Sequence, residues 1–472
     1  MASPQAFTTL PSKVHAYRPD PAILSLGDGL FDVVEAAAFP ETIVRFANRR
    51  WARRVGLDLD AAGWARHFGR FEPLSDNLPQ PLALRYHGHQ FRAYNPDIGD
   101  GRGFLFAQLR DDRGRLLDLG TKGSGQTPYS RFGDGRLTLK GGVREVLATE
   151  MLEALGVNTS KSFALIETGE ELTRNDEPSP TRSAVLTRLS HGHVRIGSFQ
   201  RQAFEENPAG IAALVRYSLE QLFDEAPGED AGVNALLLFE RAAAATAGLA
   251  ASYLAAGFVH GVLNSDNINI TGESFDYGPW RFAPTWDESF VAAYFDHSGL
   301  YAFGRQPEAI HWDLAQLGGC LALITDGAAL AEILGGWSGL FEQALVAALV
   351  RRLGIQPDEE TDRALVSALL VALRTQTVTI DRLFFDWRGG RLPDDSVYLG
   401  DAFAGLREQL AGRDPLTHAL DHDYWRDNGP CSMHIEEVEA MWTAIAERDD
   451  WGPFEAKIAA IRRLGEAQGV TP

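Results

Sequence analysis

His260-Gly-Val-Leu-Asn-Ser-Asp-Asn267 is followed nine residues later by Asp276-Tyr277-Gly278. The stretch places three hard oxygen donors, Asp266, Asn267 and Asp276, close together in sequence. Magnesium takes one or two protein carboxylates and fills its other positions with water and substrate phosphates. An Asn/Asp pair completed by the phosphates of ATP fits that habit. Asp266, next to Asn267, is an extra carboxylate placed to orient or deprotonate an incoming hydroxyl. Its plainer reading is a loop-capping Asp.

The order matches the protein-kinase pattern H-R-D-L-x-x-x-N followed by D-F-G, in which the first Asp is the base and the Asn and second Asp hold magnesium. His260 and Asn267 keep the kinase spacing of seven, but Val262 stands where the base belongs. The metal ligands survive and the phosphotransfer base does not. The expectation is a nucleotide–metal site that does something other than ordinary phosphorylation.

The upstream chain supplies the rest of such a site, in kinase order. Gly99-Asp100-Gly101-Arg102-Gly103 opens a strand; glycines let backbone N–H groups approach phosphates, and an Arg adds charge-assisted contacts. Lys122 follows the next strand, and Gly133-Asp134-Gly135-Arg136 comes soon after. Glu145, twenty-three residues past Lys122, lies early in a helix. A strand Lys paired with a helix Glu aims an ammonium at phosphates, and Lys122 is expected as a solvent-facing point charge. Lysine is scarce: five (Lys13, Lys122, Lys140, Lys161, Lys457) among 44 basic residues. Arg188 and Arg195 present planar forks suited to phosphate oxygens. Each motif alone has a plainer reading as a turn, a solvated pair or a structural ion pair; their order does not. Two His-x-His pairs, His87/His89 and His191/His193, find no third ligand and read as core or turn histidines.

The 472 residues allow roughly two or three domains. Hydrophobic residues make up 45%, enough for a sizeable core, and 64 acidic against 44 basic residues give a net charge of −20. Such a surface disfavours nucleic acid and anionic membranes as partners. Cys320 and Cys431 make no disulfide framework or zinc site. Met1–Pro11 lacks a basic segment with an apolar run, so no secretory signal is read, and the cytoplasm is the expected location. The longest uncharged run, Ala242–Ser265, is Ala/Gly-rich and ends in a polar cluster; it reads as a buried helix rather than a membrane span.

Periodicity predicts a helix over Ile43–Gly56, a hairpin with arms 104–109 and 116–119, a helix over Gly142–Leu155, and strands Phe163–Thr168 and Ser183–Leu189 around a polar loop. Beyond about residue 200 helices dominate: 209–224, 235–257, 312–325, 338–353, 360–382, 434–447 and 453–465. A strand-rich part, 1–200, and a helical part, 201–472, carrying the loop 260–279, give an α+β protein of two lobes.

With these residues in view, the chain resembles the selenoprotein O family of protein adenylyltransferases, once classed as pseudokinases. The resemblance rests on Tyr86-His-Gly-His-Gln-Phe91, Gly99-Asp-Gly-Arg102, Lys122-Gly-Ser-Gly-Gln-Thr-Pro-Tyr-Ser-Arg131, Gly133-Asp-Gly-Arg136, Arg144-Glu145, Leu186-Thr-Arg188, Arg195-Ile-Gly197, His260–Asn267 and Asp276-Tyr-Gly-Pro279. The Lys122–Arg131 string is the most specific. The resemblance implies a protein-kinase-like fold, strand-rich N-lobe and helical C-lobe, that holds ATP flipped, so that AMP moves to a protein Ser, Thr or Tyr hydroxyl and pyrophosphate leaves. It implies that Gly99, Gly101, Arg102, Lys122, Asp134, Gly135, Arg188 and Arg195 hold the nucleotide, with Lys122 paired to Glu145. It implies Asn267 and Asp276 on Mg²⁺ or Mn²⁺, and Asp266 as the catalytic acid/base. The chain departs from the family at Arg92, where glycine is usual, and in lacking the C-terminal Cys or selenocysteine and the partner Cys after the D-Y-G segment. The tail Asp414–Arg463 also matches poorly. Two other readings stay open: a phosphotransferase using Asp266 as base, and a non-catalytic nucleotide-binding interaction module.

Overall fold

Leu116–Lys122 is buried at every position, so both faces of this strand are covered, and it lies inside a sheet. The computed structural model describes residues 15–175 and 177–470; the Met1–Pro11 segment and Lys13 lie outside the described residues. In chain order the strands are β1 (Phe31–Val33), β2 (Ile43–Ala47), β3 (Leu82–Leu84), β4 (Gly88–Gln90), β5 (Ala93–Asn95), β6 (Leu105–Arg110), β7 (Leu116–Lys122), β8 (Leu137–Thr138), β9 (Lys161–Leu172), β10 (Thr181–Ser190), β11 (Phe258–Val259) and β12 (Arg281–Phe282). Seven of them run β1-β3-β6-β7-β10-β9-β2, with β8 added beside β10; every neighbouring pair is antiparallel. The remaining strands form two small hairpins, β4–β5 and β11–β12.

The helices are α1 (Arg49–Arg54), α2 (Ala61–Phe68), α3 (Leu139–Ala154), α4 (Ile196–Phe204), α5 (Pro208–Tyr217), α6 (Ala231–Ala256), α7 (Gln306–Leu321), α8 (Gly327–Gly335), α9 (Trp337–Leu353), α10 (Asp362–Arg374), α11 (Ile380–Asp386), α12 (Ala404–Leu410), α13 (Ile435–Arg448) and α14 (Gly452–Ala467). One face of the sheet buries Trp64, Phe68, Phe106 and Phe163 against α1 and α2. The other packs Leu165 and Leu186 against Val143, Leu147 and Met151 of α3. A third cluster joins α9, α10 and α11 around Leu353, Leu369 and Trp387.

The hairpin β6–β7, helix α3 and strands β9 and β10 lie where periodicity puts them. Helix α3 starts because Thr138 accepts a hydrogen bond from Gly141 N–H, 3.1 Å, satisfying one orphan donor of the first turn. Two expectations fail. Residues 43–47 are strand, not helix: they pair with Ala164–Glu167 of β9, and that cross-strand pairing overrides the local spacing. The helix begins after Asn48, whose side chain accepts from Trp51 N–H, 3.3 Å. The expected helix 360–382 is two helices, because Gln376 adopts φ 56° and Thr379 caps a new start by accepting from Arg382 N–H. Helices α2, α4, α8 and α12 were not expected; all four run to nine residues or fewer. Residue 200, the expected lobe boundary, lies inside α4.

The chain's last helices return to the sheet side. Arg462 donates to both oxygens of Glu150 on α3, 2.9 and 2.8 Å, and Lys140 meets Glu439 of α13 at 2.7 Å. Helix α6 packs most heavily against α9 and α7. By length and composition, Ala231–Ala256 and Gly327–Leu353 are long and apolar enough to cross a membrane; 56% of the apolar window in the first is buried inside the protein, and 22% in the second.

Candidate active site

Strand register sets the first part of the site. Leu186 of β10 lies opposite Lys122 of β7, and Arg188 opposite Gly120. Side chains two apart on a strand share a face, so Arg188 and Lys122 point to the same side, the side covered by α3. There Lys122 Nζ donates to Glu145 of α3 and lies 2.8 Å from Asp276 Oδ1. Arg188 reaches the same oxygen at 3.3 Å. Lys122 is 5% exposed, which corrects the expectation of a solvent-facing charge: the ammonium is built into the sheet, at the end of β7, and paired on two sides.

The small hairpin β11–β12 sets the second part. Val259 pairs with Arg281 and closes the loop between them, so 260–267 and 273–280 are held side by side. His260, fully buried, is hydrogen-bonded through Nε2 to the Phe275 carbonyl at 2.9 Å. Arg195, at the start of α4, donates to the Asp266 carbonyl at 3.0 Å. Its guanidinium lies 4.1 Å over the Tyr86 ring, 4.8 Å over Phe275 and 3.6 Å from Asp100 Oδ1. Ser265 accepts from His89 N–H at 2.7 Å. Gly88 packs on Asp266 so closely that a Cβ there would come within 2.8 Å of it.

These groups line one cavity of about 600 Å³. Its wall includes Gly99, Gly101, Arg102, Lys122, Asp134, Gly135, Arg188, Arg195, Asp266 and Asp276, so most of the sequence-derived residues come together. Gly135 has φ +69°, and a Cβ there would fall 2.3 Å from the Gly125 backbone; only glycine suits that left-handed, crowded position. Asp134 lies at the exposed rim, bound by Arg174 at 2.8 Å. Glu145 stands behind Lys122 rather than on the wall. Asn267 is also off the wall: its amide N–H donates to the Val262 carbonyl at 2.9 Å. Sequence reasoning assigned no role to Tyr86, Gln90 or Asp100, which also line the cavity. Tyr86 and Asp100 stand inside motifs already quoted, so they were findable there.

Electrostatics separates the two carboxylates. Burial pushes Asp266 up, to about 6, against the pull of Arg195; its Oδ1 is buried with no hydrogen-bond partner among the described residues. Burial also acts on Asp276, but Lys122, Arg188 and Arg195 outweigh it and hold that carboxyl well below its usual range. Asp276 is therefore a firm anion, and Asp266 the more basic of the pair.

The donor set fits a hard divalent cation. Asp276 offers a carboxylate. Asn267 turns its amide nitrogen to Val262, and its side-chain oxygen has no hydrogen-bond partner among the described residues. Asp266 has an orphaned oxygen. Among the described residues, no group of three or more His, Cys, Asp or Glu stands together as a metal set, so a cation here has to complete its shell with phosphate oxygens and water. The His-x-His pairs are hydrogen-bonded structurally: His87 to Tyr94 at 2.8 Å, His89 to Gln200 at 2.6 Å, and His193 to Asp118 at 3.1 Å. Arg92, where the related family usually has glycine, sits at φ 62°, a region that favours glycine. It is held by Glu308 at 2.9 Å and lies 5.4 Å over Trp312.

Comparison with known proteins places the chain in context. Residues 14–392 match the family described as Protein adenylyltransferase SelO. Three curated relatives are each named Protein nucleotidyltransferase YdiU. The one from Synechocystis sp. is 40% identical, covering 94% of this chain and 97% of its own length. That of Synechococcus elongatus is 40% identical over 100% and 99%, and that of Gloeobacter violaceus 42% identical over 94% and 95%. The family match ends at residue 392, yet the Synechococcus relative aligns across the whole chain, so the tail that matched poorly by motif is shared with that relative.

Proposed function

The chain belongs to the SelO family of protein adenylyltransferases and is a protein nucleotidyltransferase, and from that premise we propose that it transfers AMP from ATP to Ser, Thr or Tyr hydroxyls of proteins, in a kinase-like two-lobed fold, with Mg²⁺ or Mn²⁺. The observation that carries the reading is one cavity that combines Lys122, Arg188 and Arg195 with two unlike carboxylates, while Val262 stands at the kinase base position. In this reading the first 200 residues form one lobe and 201–472 the other, with α13 and α14 bracing α3 from the second.

Asp266 takes the proton of the acceptor hydroxyl. The hydroxyl oxygen bonds to the α-phosphorus, the bond from that phosphorus to the bridging oxygen of pyrophosphate breaks, and pyrophosphate leaves. Arg188, Arg195 and Lys122 face the phosphates that carry the departing charge. Gly99, Gly101, Arg102, Asp134 and Gly135 form the rim that seats the nucleotide. Asn267 and Asp276 would hold the cation. A bound cation would supply positive charge against the phosphates there. Glu145 keeps Lys122 extended, a positioning role. The net charge of −20 argues for protein rather than nucleic-acid acceptors, and the location belonging to this reading is the cytoplasm.

The test is intact mass. On incubation with ATP and Mg²⁺, an acceptor protein or the enzyme itself should gain one AMP unit, and a chelator should prevent the gain. A gain of one phosphate instead would support the phosphotransferase reading and overturn this one.

A further inference from the structure

A second concavity, of about 1300 Å³, shares no lining residue with the first. Its wall draws on α1, the β6–β7 turn, the end of α3, the start of β9, the end of α9 and the C-terminal residues after α14. In a protein of net charge −20 this wall is rich in cations. Arg54 and Arg115 are neutralised, by Asp112 at 2.8 Å and Asp111 at 2.8 Å. Arg113, Arg351 and Arg388 have no ion-pair partner among the described residues. Arg351 donates to the Gly156 carbonyl at 3.2 Å, and Arg388 to the carbonyls of Arg351 and Arg352 at 3.0 Å each.

The carboxylates on the same wall are already engaged. Glu153 accepts from Trp51 Nε1 at 2.9 Å and from Arg50. Asp421 pairs with His418 at 2.5 Å, and Glu466 faces His422 at 3.8 Å. The imbalance costs the folded protein something. Burial, with the nearby cations of Arg351, Arg352 and Arg391, pushes Arg388 down to about 10, while Arg113 and Arg351 are exposed and open to a guest. Crowded guanidiniums without carboxylates are relieved by an anion, and their planar forks suit phosphate oxygens in particular.

We propose that this cleft binds a small anion carrying two or more phosphate groups, with Arg113 and Arg351 as its main contacts. A guest here meets the stretch that supports Asp276. Asn158, on the wall, accepts from Ser274 N–H at 2.8 Å. Ser160 N–H donates to the Ser274 carbonyl at 2.8 Å. Thr159 Oγ1 and the Tyr277 hydroxyl are hydrogen-bonded at 2.5 Å. Glu153 and Gly156 at the wall terminate α3, the helix that carries Glu145. Occupancy is therefore coupled to the position of Asp276 and Glu145; the coupling rests on the function proposed above, and the binding does not.

The probe is inorganic tripolyphosphate, titrated calorimetrically into the full chain without metal or nucleotide. A binding event should survive Arg188→Ala, which weakens only the first cavity. It should disappear, or weaken more than tenfold, in Arg113→Ala/Arg351→Ala, whose melting temperature and nucleotide-transfer rate without polyphosphate should match the wild type. A nucleoside triphosphate titrated into Arg188→Ala is the second probe: tighter binding than tripolyphosphate identifies a nucleotide guest, equal binding a free polyphosphate. In the Arg188→Ala protein, tripolyphosphate should also slow hydrogen exchange at 157–161 and 274–277. If no binding event depends on Arg113 and Arg351, the site does not exist. Unchanged exchange at 274–277 while binding persists removes the coupling. Neither result bears on whether AMP is transferred.

Discussion

In the first cavity each buried cation faces a carboxylate: Lys122 meets Glu145 and Asp276, Arg188 meets Asp276, and Arg195 meets Asp100. In the second cleft Arg351 meets a backbone carbonyl, Arg388 meets two and lies 4.8 Å over the Trp425 ring, and neither these two nor Arg113 has an ion pair among the described residues. Both are basic concavities in an acidic protein, but they hold their charge differently. The first is a network in which removing one member strands another. The second is a set of cations that can be removed singly. Interlocked charge marks a site where several groups act on one substrate at once; uncompensated charge marks one where a guest completes the structure.

That contrast predicts graded effects. The largest belongs to Asp276→Ala, which strips a carboxylate from between Lys122 and Arg188 and removes the proposed cation ligand. Transfer should fall below detection, and calorimetric titration of ATP should lose its dependence on Mg²⁺. An unchanged metal effect would take Asp276 out of the site. Next comes Lys122→Ala. It should lower transfer by about 10²–10³-fold, the usual loss for one donor to a developing charge. Because Lys122 is buried, it should also cost about 3–5 kcal/mol of stability by leaving Glu145 uncompensated. Thermal melts and initial rates of the same preparation read both, and near-normal turnover would show that the network is not catalytic.

Smaller still is the effect of Arg113→Ala/Arg351→Ala on turnover, less than about twofold, as expected for substitutions away from a catalytic network. A large loss would mean that the two regions are not independent. The smallest effect is that of reductant. Burial pushes the Cys320 thiol up to about 12 and the Cys431 thiol up to about 11, so neither is a thiolate near neutral pH. Rates with and without reductant should agree. A reversible oxidative loss that Cys→Ser replacement abolishes would contradict this.

The same contrast explains what the sequence could and could not tell. Lys122, Glu145, Arg188, Asp266 and Asp276 were legible because each sits in a short motif whose chemistry dictates its residue type. The second cleft was invisible, because its Arg and Lys side chains come from five separate segments and no local spacing connects Arg113 to Arg351. Elements behaved likewise. The β6–β7 hairpin was readable from two apolar runs around Asp111–Gly114. Ile43–Ala47 was misread because its role is decided by β9, more than a hundred residues away. The break near Gln376 was missed because its left-handed backbone is carried by a glutamine, where no glycine or proline announces a turn. Asn267 kept its kinase spacing, yet its side chain is turned to Val262, an orientation that spacing cannot report.

The central claim is that the α-phosphate, not the γ-phosphate, faces the acceptor. Incubation with Mg²⁺ and ATP labelled at either position, followed by counting of the protein fraction, tests it directly. The account predicts protein labelling from α-labelled ATP alone, reduced by about 10²–10⁴-fold in Asp266→Ala, the range for loss of a general base. Labelling from γ-labelled ATP alone would contradict it.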